Sequence, residues 1–183
     1  MLNKSQGVIF LLTTLEMSHS DTVSLTGVAI FLFFLYNFLM SFCQKQEIRC
    51  SCGKEFEWEL WDSVNVTTDP DLKEMILDGQ MNVVVCPFCG LLFYYEKFLL
   101  YHDEKKHQLF YVHNHDCKDD REELKKKANI DYETVKKQSS GTVFTDGRHF
   151  GSADYKIEVF FGLDELVEFL RDENWTAPLK LDT

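Results

Sequence analysis

Basic charge is what this chain has least of. Against 30 Asp+Glu stand only 19 Lys+Arg, a formal net charge of −11 over 183 residues. The deficit is general: residues 1–44 carry +1 and −2, 45–116 carry +7 and −13, and 117–183 carry +11 and −15. Counterion release from phosphates, which drives nucleic-acid binding, therefore has no source, and no nucleic-acid partner is expected. An internal repeat of solenoid length is also missing. Cysteine is too sparse for a disulfide miniprotein: there are six, and four of them fall in two close pairs. Asp62, Asp69, Asp71, Glu74 and Asp78 are spread over a helix and its approaches, so they read as caps and solvated charge, not as a catalytic pair. What is present is apolar bulk, 45% of residues with sixteen Phe, enough for a folded core. The length suggests one principal domain with extensions.

The N-terminus stands apart. From Thr22 to Gln44, "TVSLTGVAIFLFFLYNFLMSFCQ" runs without a charge, long enough as a helix to span a hydrocarbon core of about 30 Å. Only Lys4 precedes it, while Lys45, Arg49 and Lys54 follow, so the positive-inside rule puts the rest of the chain on the cytoplasmic side. A signal peptide fits poorly, because Glu16, His19 and Asp21 interrupt the early apolar burst and no small-x-small site follows. The rival reading starts translation at Met40 and gives a cytoplasmic protein whose first element begins at Ile48. Cys43, at the edge of the run, reads as an inert small hydrophobe.

Beyond the run the pattern mixes α and β. "EFEWELW" (55–61) alternates as a half-buried strand does. "TTDPDLKEMILDG" is a short helix, with Asp69 at its cap, Pro70 in its first turn and Gly79 past its end. "MNVVV" and "LLFYY" are short β-like stretches on either side of the second cysteine pair. "FLLYHDEKKHQLFYVHN" reads as two strands around a charged turn. "DDREELKKKANIDYETVKK" is helical, acidic first and basic later. A loop-rich stretch, 138–154, precedes the strand "YKIEVFF" and the amphipathic helix "LDELVEFLRDE".

Cys50-Ser51-Cys52-Gly53 and Cys86-Pro87-Phe88-Cys89-Gly90 form the chemical signal. Each pair ends in Gly and precedes an aromatic, β-like segment. A zinc knuckle needs this: a tight turn that aims two thiolates at one point, with Gly taking the unusual backbone angle. Two knuckles complete a closed four-cysteine zinc site of the structural kind. A redox pair with Cys-Pro-x-Cys spacing would begin a helix, whereas "GLLFYYE" reads as a strand and the first pair would be left unexplained. Disulfides are disfavoured in a domain facing the cytoplasm. His113, His115 and Cys117 alternate in "HNHDC", so an extended strand would aim all three one way as a second metal site. His102-Asp103 is a candidate acid–base pair, with a hairpin-end histidine bonded to its turn as the plainer reading. The aromatics Phe56, Trp58, Trp61, Phe93, Tyr94, Tyr95 and Phe98 read as the buried face of a sheet, since the acidic surroundings argue against base stacking.

The cysteine pairs, the Asp-Pro-Asp-Leu-Lys helix start and Leu-Leu-Tyr-His-Asp together resemble the CpXC-domain family, named for two Cys-Pro-x-Cys motifs, from about Ile48 to about His113. "VFFGLDELVEFL" is similar to the family's C-terminal end. The resemblance implies a prokaryotic zinc-ribbon-like domain and no particular reaction. The chain departs from the pattern at the first motif: aligned on Gly53, Arg49 holds the first Cys position and Cys50 the Pro position, leaving a knuckle one residue short. The expectation is thus an α+β fold, a small antiparallel sheet with zinc-ribbon-like four-cysteine knuckles and flanking helices, plus one N-terminal transmembrane helix. Residues 1–21 form an extension, 22–44 the transmembrane helix, 46–175 the domain and 176–183 a tail. Cys50, Cys52, Cys86 and Cys89 are the expected ligands of a structural zinc. The expected function is a membrane-tethered interaction or scaffolding module with a protein partner. The rival is a metal-dependent hydrolase-like enzyme using His102 or the His113, His115 and Cys117 set.

Overall fold

The computed structural model describes residues 40–139 and 154–174. In chain order the elements are β1 (Phe42–Arg49), β2 (Glu55–Asn65), α1 (Asp71–Leu77), β3 (Val83–Val85), β4 (Leu92–Tyr94), β5 (Leu99–Asp103) and β6 (Gln108–His113). A 3-10 turn (His115–Asp120), α2 (Arg121–Ser139), β7 (Lys156–Phe161) and α3 (Gly162–Asn174) complete them. Five strands form one sheet in the order β1-β2-β5-β6-β7, and β3 and β4 form a separate hairpin.

The class is α+β as expected, but the main sheet is mixed, not antiparallel. β2 pairs in parallel with β5, and β6 with β7. Both parallel pairs follow from their connections: α1 and the β3–β4 hairpin intervene between β2 and β5, and α2 between β6 and β7. Parallel neighbours need such crossovers, and tight turns cannot make them. Local alternation is blind to this choice.

Helices cover both faces. Tyr101, Phe110, Val112 and Phe160 pack on one face against Leu72 and Ile76 of α1 and Leu166 and Leu170 of α3. Leu100, Leu109, Tyr111, Val159 and Phe161 face the other way, against Ala128, Tyr132 and Val135 of α2. Every residue of β5 is buried as a result, which is the mark of a strand covered on both sides. Phe110 anchors the first core, stacked on Tyr101 at 5.5 Å between ring centroids and edge-on to Phe160 and Phe169.

Most local readings hold. Gly79 has φ +68 just past α1, and the Asp69 carbonyl accepts the Leu72 N–H at 3.1 Å. Pro70, one residue later than expected, occupies the cap position. The "DEKK" turn closes with Asp103 Oδ1 accepting the Lys106 N–H at 3.1 Å. Asp62 departs from its solvated reading: it pairs with Lys97, and both side chains are mostly buried.

The N-terminal expectation is corrected in part. Phe42, Cys43 and Gln44 belong to β1, paired antiparallel with β2, so the expected helix cannot run to residue 44, and the first element begins before Ile48. Residues 1–39 lie outside the described residues, as do nearly all of the 138–154 loop and the 176–183 tail. Among the described residues no helix is long and apolar enough to cross a membrane.

Candidate metal centre

The four cysteines sit at the tips of two hairpins. Cys50 and Cys52 join β1 to β2, and Cys86 and Cys89 join β3 to β4. Two features bring the tips together. A small core of Ile48, Leu60 and Val84, flanked by Phe56, Trp58, Phe93 and Tyr95, lies beneath them. Asn82 supplies the second: its Oδ1 accepts the Trp61 N–H at 2.8 Å and its Nδ2 donates to the Trp61 carbonyl at 3.1 Å. One side-chain amide thus imitates a strand neighbour and straps the small hairpin to β2. Asn82 does so with φ 56, a left-handed conformation that Asn tolerates better than most residues.

Both knuckles have the same build at different lengths. In the second, the Gly90 N–H bonds to the Cys86 carbonyl and the Cys86 N–H to the Leu91 carbonyl, each at 2.9 Å. In the first, Gly53 bonds back to Cys50 and Cys50 to Lys54, again at 2.9 Å. Each ring of the first knuckle is one residue tighter, which absorbs the missing position. Gly53 and Gly90 have φ +84 and +73, so glycine keeps its role in both.

The thiols meet across the hairpins. Cys50 Sγ lies 3.7 Å from Cys89 Sγ, and Cys52 Sγ 3.8 Å from Cys86 Sγ. All four sulfurs fall within 4.8 Å of one another. A tetrahedron with metal–sulfur bonds of about 2.3 Å has edges of about 3.8 Å. The cross-hairpin separations match that edge and are far longer than the roughly 2.05 Å of a disulfide. Cys50 and Cys86 are buried, whereas Cys52 and Cys89 are exposed, so each contact joins an inner thiol of one knuckle to an outer thiol of the other. A redox pair is not supported by the local fold either, because Cys89 leads into β4 and not into a helix.

The electrostatics suit a cation. The Cys52 amide, followed by the neighbouring thiols, brings the Cys50 thiol down to about 7. The Leu91 amide would lower Cys89, but the thiols of Cys86, Cys52 and Cys50, together with burial, hold it up at about 12. The thiols thus oppose ionisation at Cys89 while favouring it at Cys50. A soft divalent ion at the centre removes that opposition, and thiolate sets of this kind select such metals. Cys43 takes no part: burial, then Glu59 and Asp62, push its thiol up to about 11.

The histidine alternatives come apart. β6 ends at His113, and the chain coils into the 3-10 turn from His115, so the two-residue alternation expected of an extended "HNHDC" is lost. His113 packs against Phe98 and Phe161, with centroids 5.2 and 6.2 Å away. His115 lies between carboxylates: Nδ1 meets Glu96 Oε1, and Nε2 meets Asp164 Oδ1 at 2.9 Å. Cys117 donates to Asp116 at 3.4 Å. Among the described residues the four cysteines are the one gathered set of three or more metal-ligating side chains. His102 is buried inside the sheet with Nε2 3.2 Å from Tyr155 Oη, while Asp103 serves its own turn. Sequence reasoning missed Asn82, Glu96 and Tyr155. Nothing in local composition marks them, because their partners lie far away in the chain.

The aromatic reading holds for Phe56, Trp58, Trp61, Phe93 and Tyr95, which pack on the cores. Tyr94 and Phe98 depart from it. With Val85, Phe88, Leu91 and Leu92 they are exposed, and five of these six lie on the hairpin that carries the second knuckle.

No curated protein and no solved structure matches the chain. The family model of the CpXC protein matches residues 48–171, a span that takes in both knuckles, the mixed sheet apart from most of β1, and most of α3. With its four cysteines gathered from two hairpin tips, the chain belongs to the CpXC protein family.

Proposed function

We propose that this protein is an interaction module stiffened by a structural zinc ion, which Cys50, Cys52, Cys86 and Cys89 hold. The observation that carries the reading is the crossed thiol pairing at 3.7 and 3.8 Å between hairpins distant in sequence. Zinc is the ion whose tetrahedral, redox-silent four-thiolate sites are built this way. Bound there, it cross-links the tips of two hairpins that otherwise meet through the small Ile48, Leu60 and Val84 core and the Asn82 amide. β3 and β4 are three residues each, and a hairpin of that size has marginal stability alone. The chain's own residues do the rest: Asn82 orients the small hairpin, and the glycines shape its tip.

The zinc-pinned hairpin presents Val85, Phe88, Leu91, Leu92 and Tyr94 to solvent, with Phe88 60% and Leu92 65% exposed. Exposed apolar side chains grouped on one short hairpin are what an interaction site is made of, which supports a protein partner. Four sulfur donors leave no coordination position for a substrate water, and this separates the reading from metal-dependent hydrolysis. In the same reading, the uncharged run from Thr22 tethers the domain at the cytoplasmic face of a membrane, while a start at Met40 would release it to the cytoplasm.

Elemental analysis of the purified full chain, made without a metal-binding tag, tests the proposal. One zinc per chain is expected, lost in Cys86→Ser and in Cys89→Ser. Two metals per chain, none, or one that survives Cys86→Ser would overturn it.

A further inference from the structure

The main sheet ends on β1 at one side and on β7 at the other, and the two edges are finished differently. Side chains take up backbone groups along β7. Tyr132 Oη accepts the Tyr155 N–H at 3.2 Å just ahead of the strand. The Arg121 guanidinium donates to the Val159 carbonyl at 3.1 Å, and Glu165 accepts the Phe161 N–H at 3.0 Å. Covering an edge in this way keeps another strand from adding to it. Among the described residues, β1 has no such cover.

Which groups of β1 face outward follows from the first knuckle. The Cys50 N–H bonds to the Lys54 carbonyl, and in an antiparallel strand the N–H and C=O change sides at every residue. Ile48, Gln46 and Gln44 therefore turn theirs toward β2, whereas Arg49, Glu47, Lys45 and Cys43 turn theirs away. Trp61, opposite Cys43, obeys the same alternation, since its N–H and C=O bond to Asn82 and not to β1. The edge thus offers a row of donors and acceptors along a strand of eight residues without Pro or Gly.

The side chains on that strand say what fits it. Lys45, Glu47 and Arg49 are exposed on one face and stand opposite Glu59, Glu57 and Glu55 of β2. Lys45 and Arg49 meet the opposite charge. Glu47 meets Glu57 in a non-hydrogen-bonded pair, the closer of the two antiparallel spacings. Like charges directly opposite destabilise a sheet, and a cation on the outer side of Glu47 would offset them. A second β1 laid antiparallel supplies one. Opposing Glu47 to itself sets Lys45 against Arg49, and opposing Lys45 to itself sets cation on cation, so both registers are repelled. Opposing Gln46 to itself sets Lys45 of each copy against Glu47 of the other, and Cys43 against Arg49. Only that register engages all four outward-facing residues, and it forms about eight backbone hydrogen bonds. The irregularity between Phe42 and Cys43 ends regular pairing at the same residue.

We propose that two copies of this chain pair through β1, antiparallel and centred on Gln46, and so join their five-stranded sheets into one. A two-fold contact of this kind uses the same surface on both copies and closes at the dimer. It is built from β1 alone, so it rests neither on which metal the cysteines hold nor on what the zinc-pinned hairpin contacts.

The test is sedimentation equilibrium of the purified full chain in density-matched detergent. The wild type should be a dimer that dissociates on dilution. Lys45→Glu and Glu47→Lys each turn both cross-copy pairs into like charges, and each should weaken the dimer roughly tenfold or more. The double variant Lys45→Glu/Glu47→Lys restores opposite charges and should recover most of the affinity. Gln46→Cys should cross-link copy to copy on mild oxidation, because opposed residues of a non-hydrogen-bonded pair lie about 4.5 Å apart at Cα, within disulfide reach. Gln44→Cys, which faces Ile48 in this register, should not. A larger assembly, a dimer indifferent to both single reversals, a double variant no better than the singles, or equal cross-linking of the two cysteine variants would overturn the assignment. A wild-type monomer would overturn it too. Hydrogen exchange at the Lys45, Glu47 and Arg49 amides would then tell whether another segment of the chain covers the edge (slow) or a different protein is its partner (fast). An unchanged circular dichroism spectrum shows that the variants are folded.

Discussion

Replacing Cys86 by Ser takes one thiolate from the centre at its most buried corner, where the cysteine is 1% exposed. An ion that binds only the folded state stabilises it by RT ln(1 + [L]/Kd). Each tenfold rise in free zinc above Kd therefore adds about 1.4 kcal/mol. For a chain of 183 residues, one kcal/mol moves Tm by about 2–4 °C, so the melting temperature should climb about 3–6 °C per decade of free zinc. At free zinc a thousandfold above Kd the ion contributes about 4 kcal/mol. Cys86→Ser, which loses the ion, should then lower Tm there by about 8–16 °C and flatten the dependence on free zinc. The assay is thermal unfolding followed by circular dichroism in chelator-buffered zinc spanning several decades. Cys117→Ser is the control, since Cys117 lies outside the cluster. A Tm that ignores free zinc while the protein is folded would refute the reasoning. So would a Cys117→Ser variant that behaves like Cys86→Ser.

Three further outcomes follow from particular side chains. Asn82→Gly keeps the left-handed backbone but removes the amide that bonds to Trp61. It should cost about 1–3 kcal/mol in denaturant unfolding and speed hydrogen exchange at the Trp61 amide, whose protection would otherwise contradict the strap. Burial would raise Glu165, but bonds from Lys118, Arg121 and the Phe161 amide bring it down to about 2. Its folded value is depressed, so its stabilisation is complete above about 4.5 and is lost as pH falls toward 2. Allowing for solvent screening, Glu165→Gln should cost on the order of 1–2 kcal/mol at pH 7 and little at pH 2; a pH-independent difference would count against it. The bond to Glu96, with support from Asp164, raises His115 above its ordinary 6.5. That contribution is present below 6.5 and disappears as pH rises through the elevated folded value. An NMR titration of the ring should have its midpoint above 6.5 and fall back toward 6.5 in Glu96→Gln, whereas a wild-type midpoint at or below 6.5 would exclude the bridge.

How much of this was legible in the sequence depends on the range of the interaction. β2, β7 and α3 announce themselves through periodicity, because their repeat is local, α2 through its acidic start and basic end, and the β5–β6 hairpin, buried on both faces, through two apolar stretches around a charged turn. The knuckles were readable for the same reason: a short cysteine spacing and a following glycine describe one turn each. That the two knuckles would meet was an inference from chemistry, and the thiol separations bear it out. β1 was hidden because its first residues, Phe42-Cys43-Gln44, continue an uncharged run and carry no alternation of their own. The parallel pairing of β2 with β5 was hidden because it depends on what the intervening chain does in space. The histidine alternation failed for a narrower reason. Two-residue spacing shares a face only on an extended strand, and the strand stops at His113. Asn82 was invisible because nothing nearby reveals that its amide will meet Trp61, 21 residues earlier.

Sulfur coordination is the centre of this account, and X-ray absorption at the metal edge of the purified full chain tests it most directly. A zinc edge with four sulfur neighbours at about 2.3 Å and no nitrogen or oxygen in the inner shell is the predicted result. Another metal at the edge, or zinc with three sulfurs and a lighter donor, would contradict it. The second of these would return the chemistry to an open coordination position.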